Sequence, residues 1–272
     1  MSEDTLRQIS TSIEATKEAH GHRFKAIEHI DTTGMKSMDT AVKVATRTLD
    51  VLTNFLDEEI CVVPASTVSS EIPSKGIVHD SAAVDRFVGV VNCQKKFVRR
   101  STAEGDPNFI QPIPCAVIRW NDQVLLLRRN KKGHALHEKY LLWAGGHVNV
   151  SDDSSDILKK ALERELSEEI FIKGSYTISD RPIALLRTDE DARASRHIGV
   201  LYEIKLTSAD VALAMNQKEF KETRGTSMSG KLVSPPALLD IYDKLNDWSK
   251  SMVEHFWPEL RTDRESPLFA GH

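Results

Sequence analysis

The chain has 272 residues, 40% of them hydrophobic and 28% charged, with a formal net charge of −4. That suits a globular protein of one large domain, or of one medium domain with an extension. A strongly basic nucleic-acid binder is excluded, and no apolar run approaches the ~20 residues that span a bilayer.

The first 80 residues carry 13 Asp plus Glu against 8 Lys plus Arg, a net of −5, which leaves about +1 for the rest. There is no basic N-terminal arm. The opening MSEDTLRQIS is acidic and polar, unlike a signal peptide, and a cytoplasmic location is expected. Cys61, Cys93 and Cys115 are scattered and form no zinc pattern, so three reduced thiols are expected.

Residues 1–57 read as a helical extension. Leu6, Ile9 and Ile13 fall at helical spacing, as do Phe24 and Ile27, and Val42, Leu49, Leu52, Phe55 and Leu56 continue the pattern beyond a break at DTTGMKSMDT. Such helices pack as a hairpin or bundle, or serve as a surface through which a homodimer forms. The character changes at residue 58, where the main domain, 58–272, is expected to begin. EEICVVPAST and RFVGVVNC are both read as β-rich runs. PCAVIRW, the turn Asn121-Asp122 and QVLLLRR read as a hairpin, and KYLLWAGG as a third apolar run ending at glycines. A helix is expected over 155–170. RPIALLRT and HIGVLYEIKL follow as strands, then GKLVSPPALLDIYDKL as a short strand, a proline stop and a helix, and DWSKSMVEHFWPEL as a terminal helix. The alternation predicts a mixed α/β domain with helices packed on sheets.

The helix at 155–170 carries the chemistry. With Glu165 at zero, Glu168 lies at about −60° and Glu169 at about +40° on the helical wheel. The three carboxylates share a narrow arc beside the apolar stripe Leu162, Leu166 and Ile170. Either this is a solvated charged face, or it is a cation site. Mg²⁺ suits the second reading, because it takes oxygen ligands and bridges carboxylates to phosphates. The glycines ahead of the helix let backbone approach a ligand closely.

Gly146, Arg164, Glu165, Leu166, Glu168 and Glu169 resemble the Nudix box, in which Gly, five residues, Glu and seven residues precede Arg-Glu-aliphatic-x-Glu-Glu-x-Gly-aliphatic. FVRRSTAEGDPNFIQPIPCAVIRW, LHEKYLLWAGGHVN and RHIGVLYEIKL are similar to the MutT-like phosphoesterase subgroup. The resemblance implies an α/β/α sandwich with a mixed sheet, here with an N-terminal helical extension. It also implies Mg²⁺- or Mn²⁺-dependent hydrolysis of the diphosphate bond in a nucleoside diphosphate linked to another group. By the same resemblance Glu165 and Glu169 would ligate the metal, Glu168 would bind it directly or through water, the Gly145 carbonyl would complete the shell, and Arg164 would orient the glutamates.

Three departures stand out. Four residues are inserted between Gly146 and Arg164, and Phe171 replaces the last glycine. The mid-box glutamate is an aspartate, for which Asp152 and Asp156 each have one correct distance. Candidate bases are Glu168, Glu190 in the loop after a strand, and Glu219 or Glu222. His147 is a candidate for substrate contact. Arg128 and Arg129 either meet phosphate or end a strand as solubilising charges, and Trp143 either stacks a base or belongs to the core. The signatures of NADH, ADP-ribose and diadenosine-polyphosphate hydrolases and of isopentenyl diphosphate isomerases are absent, so the substrate stays at the level of a small nucleotide-type diphosphate. The alternative is a regulator that binds nucleotide and signals through the N-terminal helices.

Overall fold

A computed structural model describes residues 33–34, 36, 38–46, 57–129, 139–208, 212–215, 220 and 230–260. The chain divides into two compact units, Met1–Glu58 and Glu59–His272. In the first, Thr33 and Gly34 form a turn within the expected break, Gly34 at φ +72°, and residues 38–46 are helical. The other expected N-terminal helical positions lie outside the described residues.

The second unit is organised by one long strand. β1 (Glu59–Pro64), β2 (Gly76–Val78), α1 (Ser81–Gln94), β3 (Lys96–Arg99) and the short helix α2 (Arg100–Gly105) lead into β4 (Phe109–Trp120). β5 (Gln123–Arg128), β6 (Tyr140–Leu141) and β7 (Ala144–Gly145) follow, then the acidic helix α3 (Ile157–Glu169). After it come β8 (Ile170–Lys173), β9 (Tyr176–Ile178), β10 (Ala184–Arg187), β11 (His197–Leu206), β12 (Ala212–Met215) and β13 (Lys231–Val233). A 3₁₀ helix (Pro235–Lys244) and α4 (Asp247–Phe256) close the described part. The central sheet runs β13-β5-β4-β11-β10-β2. β4 and β11 are parallel from His197↔Gln111 to Lys205↔Arg119, whereas the β4–β5, β10–β11 and β5–β13 pairs are antiparallel, so the sheet is mixed.

Strand alternation divides the core between the two sheet faces. Ile110, Ala116 and Ile118 of β4 pack with Val84, Phe87 and Val91 of α1 and with Leu158, Leu162 and Leu166 of α3. Ile113, Cys115 and Val117 pack on the other side with Leu238 and Ile241 of the 3₁₀ helix and with Trp248, Met252 and Val253 of α4. This is the expected α/β/α sandwich. Asn121 adopts φ +50°, as a two-residue hairpin turn requires of its first position. Among the described residues, no helix is long and apolar enough to cross a membrane. Cys61 and Cys115 are buried thiols, and Cys93 is exposed.

One expectation is overturned. RFVGVVNC is not a strand but the body of α1. Its β-branched residues favour a strand locally. However, Asp80 caps a helix by accepting from the Ala83 N–H at 2.8 Å, and Ala83, Val84, Phe87 and Val91 then recur at helical spacing and are all buried. A cap plus a whole buried face outweighs the propensity of a few residues. Asp80→Ala should therefore lower stability to urea by about 1 kcal/mol, and Phe87→Ala by about 3–5 kcal/mol. Were residues 86–93 a strand, the cap change would be silent.

Candidate active site

β7 seats the glycine turn against β4 through the pair Cys115↔Gly145. Gly145 has φ +146°, and a Cβ there would stand 2.2 Å from the Pro114 carbonyl oxygen and 2.7 Å from Cys115 Cα. A Cβ on Gly146 would stand 2.6 Å from both Cδ and Oε2 of Glu165. The first glycine lets the backbone pass, and the second leaves room for a carboxylate. Beyond the turn, Asn149 and Asp152 form a reciprocal cap: Asn149 Oδ1 accepts from the Ser151 N–H at 3.0 Å, and Asp152 Oδ2 from the Asn149 N–H at 2.9 Å.

Arg164 ties this loop to α3. Its Nε and Nη2 donate to the two oxygens of buried Asp152, each at 2.9 Å. Nη2 also donates to the His147 carbonyl and Nη1 to Glu165 Oε1, both at 2.8 Å. A planar guanidinium is suited to this forked grip. The two aspartates left open by spacing now separate. Asp152 holds the arginine, and Asp156 caps α3 by accepting from the Lys159 N–H at 3.3 Å. The four extra residues fall between Asp152 and the helix.

The three glutamates differ in exposure. Glu169 is buried: Oε1 accepts from Arg129 Nη1 at 2.9 Å, and Oε2 from the Gly145 N–H at 3.2 Å. Glu165 is partly buried against the turn. Glu168, whose side chain is 59% exposed, lies at the rim, 3.6 Å from Arg164. Burial pushes the Glu165 carboxyl up to about 7; Arg164 opposes the rise, and Glu169 and Glu168 add to it. Among the described residues, no group of three or more His, Cys, Asp or Glu side chains is placed to hold a metal ion. The donors at hand are nonetheless all oxygens. Oxygen donors of this kind are the ligand type that a hard divalent cation such as Mg²⁺ or Mn²⁺ takes.

The structure thus brings together Gly145, Arg129, Arg164, Glu165 and Glu169, with Glu168 beside them. The Arg129 guanidinium also lies 4.9 Å over the Phe220 ring, so it does more than solubilise a strand end. Arg128 is turned elsewhere, 5.4 Å over Tyr140. Glu190 is exposed, and its N–H donates to Thr188 Oγ1 at 3.2 Å, a hydroxyl that itself donates to Asp247 Oδ2 at 2.9 Å. Glu219 and Glu222 lie outside the described residues. Trp143 is partly buried and packs on Trp248 of the core, with ring centroids 5.0 Å apart. The His147 ring nitrogen Nε2 is 3.0 Å from Gln111 Oε1, and the ring stands edge-on to His197 at 5.6 Å. Gln111 carried one sequence signal, as the single polar side chain in the otherwise apolar FIQPIPCAVI.

No family model matches the chain. Protein YmaB of Bacillus subtilis is 31% identical over 206 residues, which cover 73% of this chain and 97% of that protein. The crystal structure of Tm1382, described as a candidate Nudix hydrolase, superposes with a TM-score of 0.54 at 23% identity, over 72% of this chain and 96% of that one. The MutT protein of Methanosarcina mazei Go1 is 25% identical over 56% of this chain and 96% of its own, at a TM-score of only 0.38.

The two glycines should separate on substitution. Gly145→Ala, which meets fixed backbone, should destabilise the fold and lower its melting temperature. Gly146→Ala meets only the end of a flexible side chain, so it should keep a melting temperature near wild type while weakening Mn²⁺ binding in a titration. Equal effects would contradict this division.

A pH signature should accompany them. Burial and then Arg193 push His197 down to about 4 from 6.5. A depressed pKa contributes stability above the unfolded value that is lost as pH falls from 6.5 towards 4. His197→Gln should remove up to about 3 kcal/mol of that acid loss, measured by urea unfolding across the window.

Proposed function

We propose that the chain is a member of the Nudix superfamily and a hydrolase of nucleotide-type diphosphates that uses Mg²⁺ or Mn²⁺, a reading that its Nudix-like fold supports. The observation that carries the reading is the placement of Glu165 and Glu169 at the border of the core, both facing the Gly145–Gly146 turn and each gripped by an arginine. Glu165, Glu168, Glu169 and the Gly145 carbonyl would hold the cation. When bound, it would neutralise the diphosphate oxygens and favour charge build-up at the attacked phosphorus.

The chain's own groups supply the rest. Arg164, itself fixed by Asp152, holds Glu165 in place. Arg129 is assigned to a phosphate oxygen. Arg128 is not, because its guanidinium is stacked on Tyr140. Glu168, the most exposed of the three glutamates, takes the proton from the attacking water. The water oxygen bonds to one phosphorus as the bridging P–O bond breaks, and the second phosphate leaves with the bond's electron pair. Glu190 is not assigned as base, since its loop lies against Thr188 and Asp247. Residues 1–57 are read as a separate extension. A regulatory role for it would appear as ligand binding without turnover, accompanied by a ligand-dependent change in oligomer size.

The test is turnover of nucleoside triphosphates, ADP-ribose, NADH, nucleotide sugars and dinucleoside polyphosphates with Mg²⁺, Mn²⁺ or EDTA. Turnover should require the metal and disappear in Glu169→Gln. In Glu168→Gln, kcat should fall by roughly 10²–10⁴-fold, the range for loss of a general base. Metal-dependent turnover that survives Glu169→Gln would sink the assignment.

A further inference from the structure

We propose that Gln111, His147 and His197 form a subsite that reads an uncharged hydrogen-bonding edge of the substrate's nucleoside. The proposal rests on the diphosphate reading of the neighbouring glutamates.

Gln111 is fully buried. Its Oε1 lies 3.0 Å from His147 Nε2, while its amide nitrogen is buried with no hydrogen-bond partner. Exchanging the amide oxygen and nitrogen would move the unpaired end without removing it. A buried amide kept in that state is destabilising, and an apolar side chain of the same shape would fit an apolar strand better. A ligand that completes the amide explains why the group is there.

The surroundings define the ligand. Gln111 pairs across the parallel β4–β11 ladder with His197, and strand alternation puts both on the face covered by α4. Trp248 of α4 closes over the same stretch, since a Cβ on Gly199 would stand 3.0 Å from its ring. His197 is neutral near pH 7. Two nearby cations, Arg100 and Arg193, are both engaged with Glu104. The subsite therefore offers amide and imidazole hydrogen bonds and aromatic edges, which suit a base or ribose edge better than a phosphate. His147 joins it to the acidic site: its ring meets Gln111, and its carbonyl accepts from Arg164 at 2.8 Å.

The experiment measures binding of ADP, GDP, CDP, UDP and inorganic pyrophosphate to the full chain in CaCl₂, in wild type, Gln111→Met and His197→Phe. Each variant's melting temperature is recorded, and the second keeps the proposal testable if the first does not fold. Pyrophosphate should bind each folded variant as it binds wild type, while at least one nucleoside diphosphate weakens ten-fold or more. Loss confined to particular bases assigns the edge to the base, and equal loss for all four assigns it to the ribose. Unchanged affinities would mean that the amide holds an internal water, and would overturn the subsite. So would parallel weakening of pyrophosphate, or wild-type protein that binds nucleoside diphosphates no more tightly than pyrophosphate. Loss of pyrophosphate binding in Glu169→Gln reports on the acidic site separately, so the two readings fail independently.

Discussion

A carboxylate as enclosed as that of Glu169 survives at the edge of an apolar core only if something offsets its charge. That constraint shapes the neighbourhood of α3. Leu158, Leu162 and Leu166 fix the helix to the sheet, so the glutamates on the adjoining arc cannot swing out to water as a free surface helix would allow. Arg129 reaches Glu169 from the residue after β5, and Arg164 reaches Glu165 from within the helix. Arg164 is in turn committed to buried Asp152, so the loop after the glycines and the acidic helix form one hydrogen-bonded unit. Helix, arginines and glycine turn are parts of a single solution to one electrostatic problem.

β4 makes that solution rigid. One twelve-residue strand pairs with β1, β5, β7 and β11 along its length. The glycine turn hangs on its middle, at Cys115 and Ala116, and Gln111 sits near its start. Alternation sends successive residues to opposite faces, so one strand supports the helix layer carrying the glutamates and, on its other side, the layer that contains Trp248. Sites on strands are held more precisely than sites on loops, which matters for chemistry that depends on the placement of small groups.

Much of this was legible in the sequence. The hairpin around Asn121-Asp122, the strand at 197–206 and the acidic helix followed from local patterns, because each is set by residues close together in the chain. The same locality explains the failure at RFVGVVNC, where a short window hid a cap at Asp80 and a face running from Ala83 to Val91. The choice between Asp152 and Asp156 could not be made from spacing, since it depends on which side chain meets Arg164 across the inserted loop. Gln111 and His197 lie far apart in sequence and become neighbours only through the parallel β4–β11 ladder. Neither pairing leaves a local signature, whereas Gly145 and Gly146 announced themselves because only glycine satisfies both approaches.

The central claim is that the glutamates of α3 are metal ligands and not merely partners for arginine. Anomalous diffraction at the manganese edge, from crystals grown in MnCl₂ with a non-hydrolysable nucleotide diphosphate analogue, tests it most directly. The account predicts an anomalous peak bonded to carboxylate oxygens of Glu165 and Glu169 and to a phosphate oxygen of the analogue, with Glu169 drawn away from Arg129. An intact Arg129–Glu169 pair with no peak beside the helix would contradict it.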